Sequence, residues 1–255
     1  MSRRVALILA AVSVGALAGC DGVVGARMTF DDVEKTKITE IVLTGRHGDV
    51  VVTSETGATE TKIRRIVHGG TSPDTSYQVA AGVLTLDTDC DRQCTMSYEV
   101  TAPPGVAVRG ELTSGDVQLA EVGAVDLKLT SGDVIVERPT GPVKLRATSG
   151  DLQVIGGSSV DMETRSGNLD VAEGTGPVTV RLTSGDVSLD LIEPASVTAS
   201  TTSGEINLMV PHGDYKVAAR SANGETHVQD VKNNPKATNV LDLRTSNGDI
   251  SVTAG

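Results

Sequence analysis

Tryptophan is absent from this 255-residue chain, phenylalanine occurs once and tyrosine three times. A broad centre built on aromatic side chains is therefore excluded, and with it the stacking platforms on which sugar-binding grooves usually rest. The core has to come from Val, Leu, Ile and Ala, which suits thin repeated layers better than one wide globule. Positive charge is scarce too: 22 Lys and Arg stand against 33 Asp and Glu, a formal net charge of −11. Such a surface repels phosphate and argues against nucleic acid as a partner.

Helical patterning is also missing, since no window after the first 20 residues keeps a period near 3.6 for more than about one turn. The single long apolar run, Val5 to Leu17, follows Arg3 and Arg4 and ends in Leu17-Ala18-Gly19-Cys20. It is too short to remain as a spanning helix and has the layout of a secretory signal over residues 1–19. Its end resembles a bacterial lipobox. That resemblance implies cleavage before Cys20, diacylation of the Cys20 thiol and a chain held on the extracytoplasmic side of a membrane by two acyl chains. Ala6 stands where a twin-arginine signal wants a bulky apolar residue, so the general secretory route is expected. Without the leader 20 basic residues face 33 acidic ones, a formal charge of −13.

Only three cysteines occur. Once Cys20 carries lipid, Cys90 and Cys94 remain as a pair in a compartment that permits disulfides. Three intervening residues do not fit a thioredoxin-like redox site, and no second cysteine pair or nearby histidine completes a zinc site. A structural disulfide across Cys90-Asp91-Arg92-Gln93-Cys94 is expected.

What the chain has in abundance is one turn. Thr113-Ser114-Gly115-Asp116-Val117 recurs as Thr130-Ser131-Gly132-Asp133-Val134, Thr148-Ser149-Gly150-Asp151-Leu152 and Thr183-Ser184-Gly185-Asp186-Val187. Looser copies centre on Gly167-Asn168, Gly204-Glu205, Gly224-Glu225 and Gly248-Asp249, and an outlying relative is Arg46-His47-Gly48-Asp49-Val50. From Gly115 the glycine spacings run 17, 18, 17, 18, 19, 20 and 24. Apolar residues alternate before each turn, as in Val125-Leu127-Leu129, and after it, as in Val134-Val136, which predicts strands with one buried face. Glycine accepts positive φ at the turn, and Ser and Asp bond local backbone groups. A looser corner, such as Pro139-Thr140-Gly141-Pro142, closes each circuit.

One such coil cannot stand alone, because its few buried aliphatics do not offset the backbone entropy of about 17 ordered residues. Stacking supplies the remainder, so residues 111–255 are predicted to form a regular β-solenoid of 17–20-residue coils with two strands each. The competing arrangement is a sandwich of hairpins, but constant period and constant strand parity favour ladders in register. Residues 38–110 are read as longer, irregular first coils with the Cys90–Cys94 excursion, and residues 20–37 as lipidated cysteine and tether.

The Cys90 and Cys94 pair, the stretch Met96-Ser97-Tyr98-Glu99-Val100-Thr101-Ala102-Pro103-Pro104-Gly105-Val106-Ala107-Val108 and the repeated turns together resemble the bacterial putative adhesin family. The resemblance spans roughly residues 38–254. It implies an exported protein with a β-helix-like fold; the family's function is unknown, "adhesin" being a label drawn from architecture, and no catalytic residues carry over.

The row Asp116, Asp133, Asp151, Asp186, Glu205, Glu225 and Asp249, interrupted by Asn168, is the most suggestive chemistry. A solenoid would stack these acids one per coil, where weak, low-specificity calcium binding would relieve their repulsion. The plainer reading is that they serve the turn and face water, since one acid per 17 residues falls short of calcium-binding solenoid repeats. No enzyme is expected: Tyr77, Tyr98 and Tyr215 are dispersed, Asp31-Asp32 are neighbours that point apart, and His47, His68, His212 and His227 are scattered. A non-catalytic surface interaction module toward an envelope protein or glycan is the leading expectation. A structural or stress-signalling envelope component acting through a membrane protein is the alternative, ahead of a polysaccharide-active enzyme.

Overall fold

A computed structural model of the chain describes residues 27–69, 76–90 and 94–255; the expected secretory signal and Cys20 lie outside the described residues. These form twenty-four strands: β1 (Arg27–Glu34), β2 (Glu40–Gly45), β3 (Val50–Ser54), β4 (Thr61–His68), β5 (Tyr77–Ala80), β6 (Val83–Asp87), β7 (Thr95–Ala102), β8 (Ala107–Ser114), β9 (Val117–Ala120), β10 (Val125–Ser131), β11 (Val134–Glu137), β12 (Val143–Ser149), β13 (Leu152–Ile155), β14 (Val160–Ser166), β15 (Leu169–Gly174), β16 (Val178–Ser184), β17 (Val187–Leu191), β18 (Val197–Ser203), β19 (Ile206–Val210), β20 (Asp214–Asn223), β21 (Thr226–Gln229), β22 (Lys232–Asn233), β23 (Asn239–Asn247) and β24 (Ile250–Ala254). They make two twelve-stranded sheets. In the repeat region the strands that run into a turn lie in one sheet, here the leading sheet, which also holds β5, β6 and β22; those that leave it lie in the other, the trailing sheet, which also holds β1, β4 and β7.

The predicted solenoid is what the alternating residues build. Strand pairing is parallel through the body of both sheets, and the register never slips at the turn: Ser114, Ser131, Ser149, Ser166, Ser184 and Ser203 stand opposite one another in successive rungs. A period of two sends every second side chain inward. Val125, Leu127 and Leu129 accordingly meet Val143, Leu145 and Ala147 in the next rung, and the inward column is almost fully buried from Ile41 to Val252. The hairpin sandwich is excluded, because consecutive strands across each Ser-Gly turn lie in different sheets.

Rung order departs from chain order at both ends. The leading sheet runs β18-β23-β20 and the trailing sheet β19-β24-β21, so the last two strands of the chain sit between two earlier rungs. At the other end β2 and β3 lie inside β6 and β7 in the same fashion. Equivalent rungs present equivalent edges, so pairing chemistry does not force sequential order. Placing β2–β3 and β23–β24 in interior positions gives each strand two neighbours.

The expected boundary at residue 37 between tether and fold is corrected, since residues 27–34 belong to the sheet. Arg27–Glu34 is an edge strand, antiparallel to β4, which is in turn antiparallel to β7. Asp31 accepts from Arg64 Nε at 2.7 Å and Asp32 from Arg65 Nε at 2.9 Å, which fastens β1 to both faces of β4. A tether reading failed here because Thr29-Phe30-Asp31-Asp32-Val33 is too polar to register as a strand until its partner is known.

The aromatic residues are corrected as well. Phe30 and Tyr77 flank the Arg65 guanidinium at 5.1 and 5.5 Å, and buried Tyr98 lies beneath with its hydroxyl between the carbonyl oxygens of Ser76 and Asp87. Burial pushes the Tyr98 phenol well above the usual tyrosine range. Three of the four aromatics thus close one end of the rod, and Tyr215 is buried near the other. The Phe30 and Tyr77 rings are engaged with the cation and offer no sugar platform.

Cys90 and Cys94 are disulfide-bonded with Cα atoms 5.4 Å apart, and both pack on the core. Their excursion joins β6 to β7 in the place where other rungs carry a Ser-Gly turn. Arg46 ties the neighbouring rung to it, its amide donating to Asp89 Oδ1 at 2.8 Å.

Candidate functional site

The repeated turns form one column down the rod: Gly48, Gly115, Gly132, Gly150, Gly167, Gly185 and Gly204, then Gly248, then Gly224. Gly115 to Gly204 and Gly248 have φ between 123° and 142°, where L side chains are strained. A Cβ on any of them would overlap the carbonyl of the glycine one rung below. The expectation of positive φ fails only at Gly224, whose rung is outermost and carries no further turn.

The acid after each glycine has a definite task. Asp116 Oδ1 accepts from the amide of Asp133 at 3.0 Å, Asp133 Oδ1 from that of Asp151 at 2.8 Å, and Asp151 Oδ1 from that of Asn168 at 2.6 Å. The series continues through Asn168 to Asp186 and through Asp186 to Glu205, and Asp49 begins it by accepting from Asp116. Each side chain therefore satisfies an amide that the turn would leave without a partner. Asn168 makes the same two bonds as its acidic neighbours, so an acceptor of the right length is required and a charge is not. The carboxylates point along the column instead of toward a common centre, and no three acids, cysteines or histidines converge into a metal-ligating group among the described residues.

Glu205 breaks the ladder. Its carboxylate, one methylene longer, takes no bond from the Asp249 amide, whereas Asp249 Oδ1 accepts from Glu225 at 2.7 Å in the outermost rung. Glu205→Asp is expected to restore the missing bond and raise the melting temperature by about 2 °C, as one net hydrogen bond would in a domain of this size. A thermal scan showing no gain would mean that the acids do not stabilise the column as described.

The histidines stay apart. His47 Nδ1 lies 2.8 Å from Ser114 Oγ at the exposed turn, and His227 Nε2 lies 3.3 Å from Gln229 Oε1 at the far end. Asp31 and Asp32 point to opposite sides of β1, each onto its own arginine.

The outer faces of the two sheets differ, which the sequence reading did not resolve. On the leading sheet charges alternate from rung to rung: Lys128 bridges Glu111 at 2.8 Å, Lys144 bridges Asp126 at 3.5 Å, and Arg146 reaches Asp161 at 2.7 Å and Glu163 at 3.4 Å. The trailing sheet shows instead Gln118, Ile135, Gln153, Asp170, Ser188 and Asn207 in one outward row. Sorting outward residues by whether they precede or follow the turn would have revealed the contrast.

Against the known families, residues 38–253 match Toastrack DUF4097. The chain belongs to the Toastrack family. Among solved structures, this Toastrack chain is similar to a putative adhesin from Parabacteroides merdae, with 14% identity over 89% of this chain and 96% of that one and a TM-score of 0.44. It is also similar to a putative adhesin from Bacteroides fragilis, with 15% identity, 90% and 97% coverage and a TM-score of 0.38. A putative cell adhesion protein from Clostridium sporogenes shows 11% identity, 89% and 100% coverage and a TM-score of 0.32. No curated protein matches the Toastrack chain.

Proposed function

We propose that this Toastrack chain is a non-catalytic interaction module of the bacterial envelope, held on the extracytoplasmic side of a membrane through lipidated Cys20. The observation that carries the reading is the dispersal of its polar chemistry. Turn acids cap amides rung by rung, and the acids of the leading sheet pair with neighbouring cations. Such a surface suits recognition along a shaft better than turnover at one point. A Cys90–Cys94 disulfide accords with an oxidising compartment.

With β1 starting at Arg27, only Asp21 to Ala26 separate the anchor from the fold. Six residues can span at most about 20 Å, so the aromatic cap would lie nearer the bilayer than the last rung. Cys20→Ala should move the protein from the membrane fraction to a soluble or unprocessed form, checked by fractionation and by the size of the product. Normal membrane retention of a normally sized product would count against the anchor. Crosslinking in living cells, followed by identification of the captured molecules, tests the interaction role.

A further inference from the structure

We infer that the trailing-sheet face from β13 to β24 docks a basic, partly apolar segment of a partner protein. This rests on the interaction-module reading and assigns it a face and a partner chemistry.

The strands and following corners of that face, residues 152–158, 169–177, 187–196, 206–213 and 250–255, contain no Lys or Arg. They do contain Asp170, Glu173, Asp190 and Glu193, and none of these four carboxylates is in an ion pair among the described residues, Asp170 Oδ1 accepting only from Gln153 Nε2 at 3.2 Å. On the opposite sheet Glu40, Glu111, Asp126, Asp161, Glu163 and Asp242 all have cationic neighbours within bonding distance. The acids on the two outer faces thus differ, those named on the leading sheet being paired with cations and the four on this stretch of the trailing sheet not, while the turn acids run along the edge between the sheets.

Two of the four exposed large apolar residues among the described residues fall in the same place. Ile192 is 57% and Met209 51% accessible. Met209 stands opposite Asp190 in the adjacent rung, and Ile192 follows Asp190 by two positions on the same outward parity. Ile155 and Ala172 continue the row in the preceding rungs, where the β15–β17 pairing is interrupted by a bulge that places Glu173 at a φ of 56°. Bulges of this kind re-aim side chains and recur at binding surfaces. An apolar strip bordered by carboxylates without cationic partners attracts a complementary surface whose cations come within about 8 Å, the screening length at physiological salt. A polyanion or an acidic glycan is repelled, and a small cation has no use for Ile192 and Met209.

The test uses the full mature chain in detergent micelles and three labelled synthetic peptides: lysine–leucine, lysine only at equal charge, and glutamate–leucine. The lysine–leucine peptide should bind best, and the double variant Ile192→Lys/Met209→Lys should weaken it by about tenfold or more while its melting temperature stays unchanged. Lys128→Glu on the leading sheet should not weaken it. Equal affinity for the lysine-only peptide, or equal loss from the leading-sheet variant, would overturn the assignment by reducing it to a diffuse field. A concentration-dependent dimer abolished by Met209→Lys would overturn it in favour of a second copy as occupant. Photo-crosslinkers at positions 128 and 209 in cells separate the two levels: capture from position 128 alone leaves the module reading intact and removes this face, whereas capture from neither removes both.

Discussion

Gly150→Val is expected to lower the melting temperature by about 10 °C or more. Gly150 has a φ of 130°, and a Cβ there would overlap the Gly132 carbonyl one rung below. Backbone strain of this sort costs about 1–3 kcal/mol, and a collision with main chain cannot be relieved by rotating a side chain. Both effects together reach about 4 kcal/mol, which in a chain of this size shifts the melting temperature by the stated amount. Gly167 rests on Gly150 as Gly150 rests on Gly132, so any shift is passed to the next turn. Gly57→Ala separates the two effects. Its φ is 89° but nothing lies within 4 Å of the position, so only the conformational cost of about 1 kcal/mol should appear. Equal losses at the two sites would mean that close rung approach contributes nothing; an unchanged melt for Gly150→Val would contradict the column itself.

Deleting residues 239–255 is expected to destroy the far end of the rod, although they are the last in the chain. Leu241, Leu243, Ile250 and Val252 are at most 1% exposed and lie between neighbouring rungs on both sides. Four aliphatics at about 2 kcal/mol each amount to about 8 kcal/mol, on the scale of a whole domain's stability. Their loss also leaves β18 and β19 facing a gap before β20 and β21. Loss of strand signal in circular dichroism, together with new proteolytic cleavage at Lys216, Arg220 and Lys232, is the expected result. In a sequentially ordered solenoid these residues would be the terminal rung, and the truncated protein would keep the β20–β21 rung protected; that outcome would exclude the inserted arrangement.

Strand identity was legible in the order of residues because alternation is local. Val143-Lys144-Leu145-Arg146 can bury one face only by extending, whatever lies beside it, and Gly150 followed by Asp151 marks the turn without reference to any neighbour. The role of Asp151 was only half legible. That it serves the turn follows from its type, but that it caps Asn168 one rung on depends on a distance the spacing of 17 residues merely permits. Of the altered order at the far end the sequence carried one trace, the step of 24 residues from Gly224 to Gly248, which is the extra length needed to pass back over a rung.

The linear pattern was enough to dictate a stacked all-β rod with an aliphatic interior and a glycine column, since each rests on rules that act within a few residues. Rung order, the Phe30–Arg65–Tyr77 closure and the separation of an acidic, partly apolar face from a charge-balanced one were decided by the folded chain alone. The physical reason is that near-identical rungs have interchangeable edges. Which edge meets which is set by the total burial of the assembled rod, a quantity that no single segment contains.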